Sequence, residues 1–207
     1  MLQLVGLIVL FVISAPSRAA TVLVLGDSLS AGYGLTETQG WVALLQAQVK
    51  TQARGTDVSK QLTLINASIS GETSAGGLAR IDALLQRHQP RVVIVQLGAN
   101  DGLRGLAVKQ VRSNLDAIIS RAVKSGARVL LLGIELPINY GTRYRDAFRK
   151  MYAELARQHS TGFVPFFLSD IAADRKNFQA DGIHPTAAAQ PKLLAQVRPA
   201  LDALAKL

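Results

Sequence analysis

The chain has 207 residues, 49% of them hydrophobic, which is apolar material enough for one substantial core. Its 23 Lys and Arg against 14 Asp and Glu leave a net charge of +9 and favour encounter with acidic partners. The basic residues are scattered and only 5% of residues are aromatic, so a nucleic-acid platform has little to be built from. The absence of cysteine excludes disulfides, thiolate metal sites, a catalytic thiol and a lipoprotein anchor.

In chain order, Leu2 to Ile13 is almost entirely apolar and too short to span a bilayer, and Ser17-Arg18-Ala19 places small residues where a signal peptidase cuts. Residues 1–19 are therefore expected to be a cleaved signal and residues 20–207 a single domain exported to the periplasm or secreted. Only the terminal amine precedes the apolar run, which leaves an uncleaved anchor or a buried first strand as the alternative.

Beyond residue 20, apolar runs of strand length alternate with segments of helical periodicity. The runs are Thr21 to Leu25, Leu62 to Ile65, Arg91 to Leu97, Arg128 to Ile134 and Gly162 to Phe166, and their continuous hydrophobicity predicts strands buried on both faces. Between them, Val108, Val111, Leu115, Ile118, Ile119 and Ala122 form one helical stripe, and Tyr144, Phe148, Met151, Tyr152 and Leu155 another. Leu193, Leu194, Val197, Leu201 and Leu204 predict a final helix with Pro191 in its first turn and a kink at Pro199. The pattern predicts an α/β fold, a three-layer α/β/α sandwich around a mostly parallel five-stranded sheet. Ligands bind such sheets beyond the carboxyl ends of the strands, so the chemistry is to be sought after each run.

After the first run stands Gly26-Asp27-Ser28-Leu29-Ser30, where a glycine turn can lift the Ser28 hydroxyl onto the sheet edge; a plain helix N-cap is the alternative. After the second comes Asn66-Ala67-Ser68-Ile69-Ser70-Gly71, in which Gly71 lets a backbone N–H approach a ligand closely or simply makes a turn. After the third, Gly98-Ala99-Asn100-Asp101 brings the Asn100 amide to the same edge, and an Asn donor can stabilise a tetrahedral oxyanion. The last loop reads Asp181-Gly182-Ile183-His184-Pro185, with a carboxylate placed to bind Nδ1–H of the imidazole and leave Nε2 free to take a hydroxyl proton. His88 and His159 fall at predicted helix ends, where a cation suits the helix dipole, and are read as structural. Asp27 and Asp101 are read as hydrogen-bonding organisers of their loops.

Together these four blocks, in this order, resemble those of the SGNH, or GDSL, hydrolases. Asn100-Asp101-Gly102-Leu103-Arg104-Gly105 and Leu136-Pro137-Ile138-Asn139-Tyr140-Gly141 are further similar to the branch of bacterial periplasmic multifunctional thioesterases, lysophospholipases and arylesterases. The resemblance covers residues 21–200 and implies a flavodoxin-like sheet in the order 2-1-3-4-5. It implies Ser28 as nucleophile, His184 as base, Asp181 as its partner, and an oxyanion hole from the Ser28 and Gly71 backbone N–H groups and the Asn100 side chain. The reaction expected is hydrolysis of acyl esters and thioesters through an acyl-enzyme, with no metal and no organic cofactor. Leu136, Pro137 and Ile138 are expected to wall an acyl-chain groove, although inward packing of Leu136 and Ile138 is the alternative. The expected partner is a small-molecule or lipid acyl ester, with transient contact to an anionic lipid surface, no nucleic acid, and a monomeric state. Two rival readings remain at this point: a carbohydrate O-deacetylase with the same triad, and a non-catalytic flavodoxin-like binding module.

Overall fold

The computed structural model describes residues 20–52 and 62–205. The expected signal, residues 1–19, lies outside the described residues. In chain order the elements are β1 (Ala20–Gly26), α1 (Ser28–Ala31), α2 (Trp41–Gln52), β2 (Leu62–Asn66), α3 (Ser74–His88) and β3 (Val92–Gln96). There follow α4 (Ala99–Leu103), α5 (Val108–Lys124), β4 (Arg128–Leu132), α6 (Thr142–Gln158), β5 (Gly162–Val164) and α7 (Gln190–Ala205). The strands form one sheet in the order β2-β1-β3-β4-β5, every pairing parallel. This is the expected flavodoxin-like α/β/α sandwich.

The layers follow from where the apolar side chains point. Helices α2 and α7 pack together on one face, and α3, α5 and α6 pack in sequence on the other. The stripe on α5 is buried from Val111 to Ala122, with Val108 only partly covered, and that on α6 at Phe148, Met151, Tyr152 and Leu155. Both helices therefore bury the face their periodicity marks. Central strand β3 is buried at all five positions, as a parallel strand covered on both faces must be. Edge strand β2 departs from that expectation: only Leu64 is buried, and among the described residues no strand pairs with its outer flank.

The last two strands are shorter than their apolar runs. β5 stops at Val164, and the next bond to the Gly133 carbonyl comes from Phe167 N–H, one residue beyond the regular position. β4 stops at Leu132, and the chain then crosses over through Gly133, which donates to the Val164 carbonyl and accepts from Phe167 N–H. Ile134 and Phe166 are thereby released from the sheet into the loops at its carboxyl edge. In α7, Pro191 is the second residue, where no intrahelical donor is lost, and the helix continues through Pro199.

A candidate active site at the carboxyl edge of the sheet

All five strands run the same way, so the segments that follow them meet along one edge. The first is fixed tightly. Asp27 N–H donates to the Gln96 carbonyl of β3 (3.2 Å), and Asp27 caps α1 by accepting from Leu29 N–H (3.0 Å). Asp27, not Ser28, is therefore the N-cap, and Ser28 is the first residue of the four-residue helix.

Beneath this turn lies a buried polar chain. Gln96 Nε2 donates to Asp27 Oδ1 (3.0 Å), Ser30 Oγ donates to Gln96 Oε1 (2.7 Å), and Trp41 Nε1 donates to Ser30 Oγ (3.3 Å). The sequence carries a hint of it: Gln96 is a polar residue closing an otherwise apolar strand.

The Ser28 hydroxyl lies 2.8 Å from Nε2 of His184, and His184 Nδ1 lies 2.7 Å from Asp181 Oδ2. The other Asp181 oxygen accepts from the backbone N–H groups of Ile183 (2.9 Å) and His184 (3.0 Å). The hydrogen bond from His184, followed by these two N–H groups, holds the Asp181 carboxyl down at about pKa 2, so it is ionised at neutral pH. An ionised Asp181 requires a proton on Nδ1 and leaves Nε2 of a neutral imidazole as acceptor for the Ser28 hydroxyl. Tyr33 covers the imidazole, its ring centroid 4.4 Å away and tilted by 38°. Nothing in the spacing of the sequence identifies Tyr33, because the contact is made by loops 151 residues apart.

The second and third loops converge on the same place. The turn Ile69–Glu72 is closed by Glu72 N–H donating to the Ile69 carbonyl (3.1 Å), with Gly71 at φ +79°, a value a side chain resists. The Glu72–Arg80 ion pair, with Arg80 Nη2 on the Ala67 carbonyl (2.6 Å), ties this loop to α3. Asn100 lies in the first turn of α4 and spends one amide N–H on the Glu72 carbonyl (2.9 Å). Its second N–H is available to a ligand. Gly98, at φ +114°, sets the direction of α4, and a Cβ there would also strike the Tyr152 hydroxyl. Asp101 accepts from Ser74 N–H (2.8 Å) and Ser74 Oγ (2.6 Å), so it organises the loop as read from the sequence. Among the described residues, neither the Ser28 nor the Gly71 backbone N–H is engaged by another protein acceptor.

Ser28, Asn100 and His184 open onto a cleft of about 470 Å³. Leu103, Ile134, Leu136, Phe166, Leu168 and Phe178 are among its apolar lining, with Glu135 and Arg145 as charged neighbours. Leu136, Pro137 and Ile138 all line it, but differently. Leu136 is 3% exposed and packs against Gly102, whereas Ile138 is 82% exposed at the rim. Gly71 is not among the lining residues. His88 ends α3, and His159 caps α6 and bonds Asp116 (2.7 Å), both away from the cleft.

The arrangement pairs a hydroxyl with an oriented base beside free hydrogen-bond donors and an apolar channel, which is suited to acyl transfer. Comparison with known proteins agrees. Residues 24–190 match the model of the GDSL-like lipase/acylhydrolase family. The chain is 49% identical over 203 residues to the esterase TesA of Pseudomonas aeruginosa, covering 98% of each protein. It is 43% identical to thioesterase 1/protease 1/lysophospholipase L1 of Escherichia coli K12, covering 88% of this chain and 85% of that one. The crystal structure of the psychrotrophic esterase EstA from Pseudoalteromonas, inhibited by monoethylphosphonate, superposes with a TM-score of 0.83 at 39% identity, covering 90% of this chain and 99% of EstA. The chain belongs to the GDSL-like lipase/acylhydrolase family, the SGNH hydrolases, and is a serine hydrolase acting on ester bonds.

Proposed function

We propose that the protein hydrolyses acyl esters and thioesters with Ser28 as nucleophile, His184 as general base and Asp181 as the group that orients it. The observation that carries the reading is the continuous relay from Ser28 Oγ to His184 Nε2 (2.8 Å) and from His184 Nδ1 to Asp181 Oδ2 (2.7 Å). In the first step Ser28 Oγ bonds to the acyl carbon while its proton passes to Nε2. The carbonyl oxygen becomes an oxyanion held by the Ser28 and Gly71 N–H groups and the free N–H of Asn100. The tetrahedral species collapses, His184 returns the proton to the leaving alcohol or thiol, and the acyl group remains on Ser28 as an ester. Water then attacks that ester with His184 again taking a proton, and the acid leaves as Ser28 recovers its own. Neither metal nor organic cofactor enters this cycle.

The apolar cleft supports an acyl chain as the group recognised, with Leu136, Pro137 and Ile138 as its wall. Aryl, thioester and lysophospholipid-type substrates share that acyl half, and an acetylated sugar would leave the channel unfilled. Residues 1–19 act as an export signal in this reading, and the enzyme works as a monomer in the periplasm or outside the cell. The net charge of +9 would bring it transiently to anionic lipid surfaces. Hydrolysis of anionic mixed micelles should then fall as salt rises, and salt-independent rates would remove that contact.

The central test is turnover of a medium-chain p-nitrophenyl ester by the wild type and by Ser28→Ala, each with and without chelator. Chelator-resistant activity that falls roughly 10⁶-fold in the variant is expected. A Ser28→Ala enzyme within tenfold of the wild type would overturn the assignment.

A further inference from the structure

Arg175 belongs to none of the motifs and is exposed, yet its guanidinium binds three successive backbone carbonyls. Nη1 donates to Phe178 O (3.1 Å) and Gln179 O (2.6 Å), and Nη2 donates to Ala180 O (2.8 Å). The next residue is Asp181.

The segment that carries Asp181 and His184 connects β5 to α7 with no more regular structure than short turns and two single-turn 3₁₀ helices, at Arg175–Asn177 and Ala187–Ala189. Backbone bonds of tight turns hold much of this connection, but among the described residues no backbone N–H bonds the carbonyls of Phe178 or Ala180. Its tip is a small hairpin: Phe178 bridges Pro185, Gln179 N–H donates to the His184 carbonyl (2.8 Å), and Gly182 N–H donates to the Gln179 carbonyl (3.0 Å). Gln179 also reaches across to the Tyr33 carbonyl with Nε2 (2.8 Å), joining the hairpin to the loop after Ser28. One arm of the hairpin thus presents three carbonyls, and the guanidinium gathers all three. Arg175 is itself held by the 3₁₀ turn it begins, capped by Asp174 accepting from Lys176 N–H (3.0 Å). A planar fork of five donors can bind carbonyls in several directions at once, which a lysine ammonium on a flexible stem cannot hold in the same geometry.

We propose that Arg175 is a positioning residue for the acid–base pair: by fixing residues 178–180 it holds Asp181 and His184 in register with Ser28. The proposal rests on the reading of His184 as base and Asp181 as its partner. A loosened hairpin would leave the cleft walls from Leu103, Ile134, Leu136 and Leu168 in place and disturb its edge at Phe178, while the imidazole samples positions from which it cannot take the Ser28 proton. Misplacement of a catalytic group by about 1 Å costs on the order of 10²-fold in rate.

The test compares the wild type with Arg175→Met, Arg175→Lys and His184→Ala, on the full chain. Rates of the wild type and the Arg175 variants are expressed per active site titrated to completion with an organophosphonate, so a misfolded fraction does not enter kcat, and those of His184→Ala per folded protein. Arg175→Met should lower kcat about ten- to a hundredfold, a larger change than in KM, and Arg175→Lys should recover part of the loss. The low-field proton resonance of the His184 Nδ1–H should broaden in Arg175→Met, a change that loss of stability alone would not cause in the folded protein. A kcat within twofold of the wild type with that resonance intact would overturn the proposal. If Arg175→Met does not fold, Arg175→Lys decides: reduced kcat at an unchanged unfolding midpoint supports the role, and wild-type kcat rejects it. His184→Ala separates the two levels, because activity surviving in that variant would overturn the triad reading itself.

Discussion

Replacing Asp27 by Asn should make the protein's stability less dependent on pH, by an amount the structure allows to be worked out. Asp27 is 0% exposed; Oδ1 accepts from Leu29 N–H and Gln96 Nε2, whereas Oδ2 is buried with no hydrogen-bond partner among the described residues. Burial is the largest influence and pushes its pKa from 3.8 up to about 6, against the opposing pull of the Leu29 and Gln96 hydrogen bonds. The folded state thus holds the Asp27 proton up to about pH 6, whereas the unfolded chain releases it near 3.8. Between those values the native state binds more protons, so stability falls as pH rises through the window and levels off above it. At about 1.4 kcal/mol per tenfold change in acidity, the rise corresponds to a loss of about 3 kcal/mol at neutral pH relative to pH below 4.

Asn keeps the Oδ1 acceptor and cannot ionise. It places amide hydrogens where Oδ2 was, at a cost of about 1–3 kcal/mol for a buried unsatisfied donor, but that cost is the same at every pH. Urea unfolding of both proteins between pH 4 and pH 8 isolates the effect, since the other titrating groups cancel in the difference. The stability of Asp27→Asn relative to wild type should climb by about 2 kcal/mol from pH 4 to pH 7 and then level off. A difference independent of pH, or one that falls as pH rises, would refute the reasoning. Turnover should move the other way at neutral pH. The Asp27 carboxylate and His184 attract when both are charged, so Asn removes support for the imidazolium formed in the reaction.

Asn100→Ala should lower kcat roughly 10²- to 10³-fold with little change in KM, and full activity would remove Asn100 from the oxyanion hole. Its bond to the Glu72 carbonyl is lost as well, so a melting curve should accompany the kinetics. For chain-length preference, the exposed rim residue is the cleaner probe. Ile138→Ser should alter stability by no more than about 0.5 kcal/mol while shifting preference along a series of p-nitrophenyl esters. Leu136→Ala, at a buried position, should itself cost about 2–5 kcal/mol in an unfolding titration. Unchanged preference in both variants would argue against the acyl groove.

The sequence by itself determined the layers of this fold and which polar blocks stand between them. Continuous apolar runs mark strands covered on both faces, helical stripes mark the faces that cover them, and both are local periodicities that a single sequence displays. Three of the four polar blocks were legible for a related reason: each directly follows an apolar run, and a parallel sheet brings such positions to one edge, whereas Asp181 to Pro185 lies well beyond β5 and reaches that edge only through its hairpin. Asp181 and His184 lie three residues apart and could be paired from spacing alone. Tertiary structure decided what depends on segments distant in the chain. Gln179 and Tyr33 meet across 146 residues, Asp27 and Gln96 across 69, and Leu136 turns inward while Ile138 remains at the rim. Arg175 reads in the sequence as one more solvated cation, and its hold on residues 178–180 exists only once the hairpin has folded back over it. Side-chain partners of this kind are set by loop geometry and by the need to satisfy buried carbonyls and carboxylates, neither of which leaves a periodic trace in the chain.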